Sequence, residues 1–370
     1  MKTKSILHIT AVRELGSGQR NQLIYEVNAA KKIPNIVWHT LAYHSGKSVE
    51  TFERSIPWYF DYLILRNLFF WLVVLKYSKK YDLVLLRHLA FDPFALIFSP
   101  FIKNRVSIHH AKEIDELKLV RSGIKGKLAS FIERITGKVA VKNSLMVVGV
   151  TKEIAIYENE ERGLNKPIAV YPNGIEVEKI EVAEDNRVTN EYNILFMCSY
   201  FSEWHGLDIL LNSINDSNTN KNFFIHLVGN LSEHQTKNIK NNKYKKRIII
   251  HGALSKFEYL KIVSKCDVGL GSLAMYRQNL KEGSTLKVRE MLAMGLPVFS
   301  GHKDVAFNED FAFYKYSRDF NLDQLLAFCK ENKKLKRVEV RTSAKNMIEK
   351  NKIMEGFILQ ASILTSKSES

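Results

Sequence analysis

Short apolar segments alternate with helical ones from one end of this chain to the other, and that alternation limits the fold more than any other feature. Strands that are each followed by a helix form parallel sheets covered by helices on both faces. Strands are predicted at 5–10, 35–41, 83–86, 105–109, 145–149 and 168–171, then at 193–197, 224–228, 247–251, 268–270 and 298–300. Between the two sets, 173–191 is polar and acidic and has neither helical nor strand periodicity, so it reads as a linker. A chain of 370 residues is long enough for two such domains. The expected fold class is α/β, with one domain over 1–172, a second over 173–345 and a final helix and tail over 346–370. The last helical pattern runs from about 341 to 365, and 366–370 is expected to fray.

Composition sets the outer limits. Hydrophobic residues make up 45% of the chain and aromatic residues 11%, which excludes a disordered or collagen-like class. Cys198, Cys266 and Cys329 lie far apart and form no metal or redox spacing, so a reducing compartment is expected. The N-terminus passes from Met1-Lys2-Thr3-Lys4 directly into strand residues, without the apolar stretch of a signal peptide. No segment reaches the roughly 18 uncharged residues that a membrane span needs, and a cytoplasmic location is expected. A net charge of +16 favours a polyanionic partner, be it nucleic acid, anionic lipid or a phosphorylated substrate.

The densest chemistry lies in Lys281-Glu282-Gly283-Ser284-Thr285-Leu286-Lys287-Val288-Arg289-Glu290-Met291-Leu292-Ala293-Met294-Gly295-Leu296-Pro297-Val298. Ser284 or Thr285 suits a helix N-cap, Gly295 a C-terminal cap, and Pro297 opens the next strand. Val288, Met291 and Leu292 share the face that would pack on a sheet, and Lys287 and Glu290 are neighbours on another flank. The first turn offers free N–H groups to a phosphate. Such a group of residues can hold a nucleoside diphosphate sugar. Glu290 would bind the ribose hydroxyls, and Lys287 with the amides near Gly283, Ser284, Thr285 and Leu286 the diphosphate. Glu282 would take the hydroxyls of the sugar. An ordinary amphipathic helix with solvated glutamates is the plainer reading.

This segment resembles the Glu, seven residues, Glu motif of the family 4 (group 1) glycosyltransferases, whose two Rossmann-like domains face a cleft in the fold called GT-B. Two further segments carry the resemblance. Tyr171-Pro172-Asn173-Gly174-Ile175 is similar to the family's segment at the domain junction, and Ser202-Glu203-Trp204-His205-Gly206-Leu207-Asp208 stands where the family usually has Lys-Gly-Val-Asp before a helix. The resemblance covers most of the C-terminal half and the N-terminal half in outline. It implies donor binding in the second domain, acceptor binding in the first, and a terminal helix that crosses back to the first domain. Asn173, Gly174, His205 and Gly206 are then expected to contact substrate. The chain departs from the family where Cys198-Ser199-Tyr200 replaces Gly-Arg-Leu and His205 replaces the lysine, which leaves Lys287 as the natural phosphate cation.

Three constellations lie outside that segment. Gly16-Ser17-Gly18-Gln19-Arg20-Asn21 follows the first strand and opens a helix, the right place for a phosphate-approaching loop or a plain turn. Gly16, Gly18 and Arg20 are the candidates there, whereas Asn21 in place of a third glycine argues against a nicotinamide site. His109 and His110 end a predicted strand, where ligand-facing residues of parallel sheets concentrate, with Glu113 and Asp115 as nearby carboxylates. His110 or His109 would orient the acceptor hydroxyl, and simple packing is the alternative. No Asp-any-Asp triplet occurs, so no metal site is expected and the donor diphosphate would be neutralised by side chains and helix dipoles.

Two surfaces suggest a membrane. Trp58-Tyr59-Phe60 and the apolar run from Leu68 to Leu75 read either as an interfacial aromatic surface or as a buried helix. Lys127, Arg134, Lys138 and Lys142 share one helix face with Phe131 beside them, either a stripe for anionic lipid or a solvated face. Taken together, the resemblance and the charge imply a metal-independent, retaining hexosyltransferase without a cofactor. It would act on a lipid-linked or saccharide acceptor at the inner face of a bacterial membrane, in cell-surface polysaccharide synthesis. A sugar-nucleotide epimerase of the same fold and an inactive membrane-bound relative are the competing readings. A basic nucleic-acid binder is disfavoured by the scatter of basic residues through both halves.

Overall fold

The computed structural model describes residues 3–121 and 123–366. The chain divides into two compact units, Met1–Gly174 with Lys350–Ser370, and Ile175–Glu349. The expected tail at 367–370 lies outside the described residues.

The first unit runs β1 (Lys4–Ala11), α1 (Ser17–Ala30), β2 (Ile36–His44), β3 (Glu53–Ser55), α2 (Leu63–Ser78), β4 (Leu83–Arg87), α3 (Ala95–Phe98), β5 (Arg105–His109), α4 (Glu113–Val120), α5 (Gly123–Lys142), β6 (Val147–Gly149), α6 (Lys152–Glu160) and β7 (Ile168–Val170). Its seven strands form one parallel sheet in the order β3-β2-β1-β4-β5-β6-β7. Both faces are covered, so β1 is apolar on both sides: Leu7 and Ile9 pack with Phe70, Trp71 and Val74 of α2, and Ile6 packs with Leu85 and Ile108. Of the two readings of the segment 58–75, the structure shows the buried helix. Helix α2 buries one face in the core, while Trp58 and Tyr59, in the short turn before it, are exposed.

The second unit runs β8 (Tyr192–Tyr200), α7 (Leu207–Asp216), β9 (Phe223–Asn230), α8 (Glu233–Lys240), β10 (Ile248–Gly252), α9 (Lys256–Val263), β11 (Val268–Leu270), β12 (Glu282–Gly283), α10 (Leu286–Ala293), β13 (Val298–Ser300), β14 (Lys303–Asp304), β15 (Tyr314–Tyr316), α11 (Leu322–Asn332) and α12 (Arg337–Ile348). Six strands form a parallel sheet in the order β10-β9-β8-β11-β13-β15, and β12 pairs with β14. The predicted strands all appear, while the short β3, β12, β14 and β15 carry too few residues to show a period.

The polar stretch 173–191 holds only a three-residue turn, Val177–Lys179. From Ile175 onward it is nonetheless packed within the second unit. Ile175, Val177, Ile180 and Ala183 are buried, and the Arg341 guanidinium donates to the carbonyls of Val177 and Ile180. The helix expected over 341–365 is two helices. Glu349 is extended at φ −69°, ψ 125°, which ends α12 and lets α13 (Lys350–Ser366) start afresh within the first unit. There Met354, Phe357 and Ala361 fill the core beside Ile6 and Val106, and the Phe357 and Tyr171 rings lie 4.7 Å apart. Among the described residues, no helix is long and apolar enough to cross a membrane.

Candidate functional site

In each sheet the strand order reverses once in sequence, between β1 and β4 and between β8 and β11. Crevices at the carboxyl ends of strands beside such a switch are where parallel sheets bind ligands. The candidate residues collect at these two places.

At the second switch, α10 carries the segment singled out by sequence. Its N-cap is Thr285, which makes no side-chain capping bond, and Gly295 follows its end at φ +83°. A Cβ on Gly295 would lie 2.4 Å from that of Arg337, so both conformation and space require glycine. Val288, Met291 and Leu292 are fully buried on the sheet side, as their spacing predicts. Lys287 projects elsewhere. Its Nζ lies 3.6 Å from the Cys198 sulfur and 5.2 Å from the centre of the Phe196 ring, both on β8, and it makes no ion pair among the described residues. Burial depresses its pKa. One turn on, the Glu290 carboxyl is pushed up to about 7 by burial, against the pull of Lys256. Arg289, between them, is wholly buried and grips Asp304 through two bonds of 2.7 and 2.9 Å, so it is a structural cation.

The loop after β8 completes this end. The backbone N–H of Ser202 donates to His205 Nδ1 at 2.9 Å, and burial, then Lys287, pushes the imidazole down to about 3. His205 is thus neutral with its proton on Nε2, able to donate one hydrogen bond but unable to replace a lysine's charge. Gly206 has φ +77°, and a Cβ there would stand 2.8 Å from that of Leu273. Leu273 donates its N–H to the His205 carbonyl at 2.9 Å, tying the β8 loop to the segment after β11. Gly283 pairs with Asp304 in the β12–β14 ladder and backs onto His302, whose Cδ2 a Cβ would approach to 2.4 Å. Glu282 is partly exposed and Ser284 is buried.

At the first switch the predicted residues separate. Gly16 is the extended N-cap of α1, open to solvent together with Gly18. Arg20 turns away to Glu53, bonding at 2.6 Å to a buried carboxylate that His44 also holds at 2.9 Å. That pairing raises the pKa of Arg20 and occupies it. His109 and Glu113 lie inside a buried network. His109 Nδ1 is 3.0 Å from Glu113 and 3.4 Å from Glu158, its ring stacks on His88 at 4.5 Å, and Arg162 bridges Glu158 and Glu133. His109, Glu113 and Glu158 are close enough for a metal ion, but the Arg162 guanidinium already engages one of the three. His110, one residue past β5, has its pKa pressed well below the usual range by burial and the Arg87 charge. Gly174 is packed beneath α13, with Ile353 Cδ1 2.7 Å from where its Cβ would be, and its carbonyl accepts from Gln22 at 2.8 Å. Asn173 beside it is half-buried.

Arg87, the last residue of β4, was not among the sequence candidates. With its amide turned so that the oxygen faces the guanidinium, Gln19 on the first turn of α1 accepts from Nη1 and Nη2 of Arg87 at 3.2 Å. The alternation within β4 was the available signal, since it sets Arg87 on the Leu85 face beside His110.

No family profile matches the chain. An uncharacterized glycosyltransferase of Methanocaldococcus jannaschii is 25% identical over 157 residues, 40% of this chain. The match spans 40% of that relative's length. The lipopolysaccharide outer core galactosyltransferase WaaB superposes with a TM-score of 0.63 at 10% identity, over 96% of this chain and 99% of its own. HepE of Anabaena, solved with UDP and glucose, gives 0.59 at 14% identity, over 98% of this chain and 100% of its own. The chain has the fold these proteins share, GT-B, as the sequence resemblance implied.

Proposed function

We propose that this GT-B chain is a glycosyltransferase that moves a hexose from a nucleoside diphosphate sugar to a lipid-linked or saccharide acceptor, in the synthesis of a cell-surface polysaccharide. The observation that carries this reading is the pairing, on α10, of an unneutralised Lys287 with a Glu290 whose carboxyl titrates at about 7. The relatives' names agree with it, one being a galactosyltransferase and another binding UDP and glucose.

In this reading Glu290 accepts hydrogen bonds from the two ribose hydroxyls. Lys287 and the amides of Ser284 to Leu286 hold the diphosphate, where charge accumulates as the anomeric bond breaks. Glu282 and Gly283 border the sugar, and His205 donates one neutral hydrogen bond from Nε2. His110, in the first unit, orients the acceptor hydroxyl. A lysine and helix amides can stabilise the leaving group without a metal ion, and the retaining outcome is what the sequence resemblance implies.

The chain acts as a peripheral protein at an anionic membrane surface on the cytoplasmic side. Lys127, Arg134, Lys138 and Lys142 are all exposed on α5, and Ile124, Leu128 and Phe131 are exposed on the same helix at 85, 57 and 61%. Arg134 is partly spent on Glu161, at 2.8 Å.

The test is thermal stabilisation by a panel of UDP, GDP and ADP sugars, since a donor bound only by the folded state raises its stability by mass action. One of them should stabilise the wild type and fail to stabilise Glu290→Gln. Lack of stabilisation by every member at saturating concentration overturns the reading.

A further inference from the structure

Three large rings within five residues face solvent at the start of α2: Trp58 is 82% exposed, Tyr62 69% and Tyr59 53%. Clustered exposed apolar surface of this kind goes with binding. The rings are also held in place. Trp58 and Tyr59 meet edge to face at 5.7 Å, and Tyr59 lies 4.9 Å from Phe60. Phe60 lies 5.3 Å from Phe69, which lies 5.3 Å from the buried Tyr43 of β2. Trp58 and Tyr59 are thus the outer end of a row of rings that begins in the core, so little side-chain freedom is lost when a ligand settles on them.

Position and charge say what kind of ligand. The turn Trp58–Phe60 follows the carboxyl end of β3. The Ile56 N–H donates to the His44 carbonyl at the end of β2 at 2.9 Å, and the Ser45 N–H donates to the Arg13 carbonyl, just past β1, at 3.0 Å. The Ser45 hydroxyl donates to Asp61. These bonds gather the exits of β1, β2 and β3 along the end of the sheet where parallel sheets bind ligands. In sheet order β3 stands two strands from β1, about 10 Å, so the rings meet what a ligand carries beyond its part at the switch point. Between Ser45 and Tyr62 the chain has Lys47 and Arg54 against Glu50, Glu53 and Asp61, which is no cationic surface for a phosphate or an anionic leaflet. A sugar ring fits instead. Its C–H groups lie over the negative face of an aromatic ring, and its hydroxyls reach the Asp61 carboxylate, which is 35% exposed and 3.6 Å from Arg66.

We infer that Trp58 and Tyr59, with the Asp61 carboxylate beside them, form a distal saccharide subsite in the first unit, which holds one sugar ring of an oligosaccharide of two or more residues. Binding of the saccharide here does not depend on glycosyl transfer, whereas its identity as the acceptor rests on the function proposed above.

The experiment overlays the whole chain on an array of oligosaccharides of two or more residues, taken from bacterial cell-surface polysaccharides. The wild type should be retained on at least one of them. Trp58→Ala should lose about tenfold or more of that affinity at an unchanged melting temperature, and Trp58→Phe should recover part of it. Retention on no glycan, or equal retention of the wild type and Trp58→Ala, overturns the subsite. Recovery on neutral vesicles that falls in Trp58→Ala, with no glycan retained, overturns it in favour of a membrane anchor. With a retained glycan as acceptor, Trp58→Ala should raise its KM about tenfold and leave the KM of the sugar nucleotide unchanged. A glycan held through Trp58 by a chain that no sugar nucleotide stabilises supports the subsite and overturns the transferase reading. Donor stabilisation without glycan retention overturns the subsite alone.

Discussion

The Lys287 ammonium stands 3.6 Å from the Cys198 sulfur, on a strand position where a neutral thiol faces it instead of a second charge. Burial raises the Cys198 pKa, so the thiol stays protonated and leaves the lysine unneutralised. Lys287→Ala should lower the rate of transfer by about a hundredfold, the magnitude seen when one electrostatic stabiliser of a transition state is removed. Affinity for a nucleoside monophosphate should hardly change. Near-normal turnover in the variant would remove Lys287 from the mechanism.

Glu290 gives a pH dependence whose sign is fixed. Its folded-state carboxyl titrates at about 7, above the usual carboxylate range, so in the free protein its contribution to stability falls as pH rises from about 4 to 7. Ribose hydroxyls donate to the ionised form. Affinity for the sugar nucleotide that stabilises the fold, whose diphosphate does not titrate in this range, should therefore rise about tenfold from pH 6 to pH 8. Calorimetry across that interval checks it, and Glu290→Gln should flatten the profile.

Arg289 and Asp304 form a buried, two-bond ion pair that locks α10 to the β12–β14 ladder. Arg289→Met should destabilise the second unit by about 3 to 5 kcal/mol, because Asp304 is left buried and unpaired. The double variant Arg289→Met with Asp304→Asn should recover part of that loss. Denaturant melts of the three proteins decide it, and equal midpoints for the wild type and the single variant would show that the pair contributes little.

Gly206 supports the His205 turn through a left-handed backbone and a close approach to Leu273 that leaves no room for a side chain. Gly206→Ala should cost about 1 to 3 kcal/mol of stability. It should also weaken donor binding, since the turn is tied to Leu273 by one hydrogen bond. A variant with an unchanged melting temperature and unchanged nucleotide-sugar affinity would contradict this.

Sedimentation with vesicles tests the surface of α5. Each cation near an anionic leaflet adds about 1 kcal/mol, so binding to anionic lipid should be measurable at low salt and fade toward 0.5 M. Phe131→Ser with Leu128→Ser should reduce binding even at low salt. Equal recovery with neutral and anionic vesicles would leave α5 an ordinary solvated helix.

The sequence by itself determined the features whose cause is local. Strand and helix periods gave two parallel α/β sheets, because a β-strand buried on both faces must be apolar throughout and its covering helix must repeat every three to four residues. The Gly295 and Pro297 exit and the spacing of Val288, Met291 and Leu292 placed α10 and its buried face for the same reason. Partnership was not legible. Arg20 was the cation expected at the first switch, and only folding brought Glu53, 33 residues on, against it. His109 and His110 are adjacent in sequence, yet His109 ends β5 inside a network closed by Glu158 and Arg162, while His110, one residue past the strand, is governed by burial and the charge of Arg87. The break at Glu349, inside a continuous helical pattern, was likewise decided by tertiary contacts. The Arg341 guanidinium and the core that receives Met354 and Phe357 act on residues more than a hundred positions away, and no local period records that.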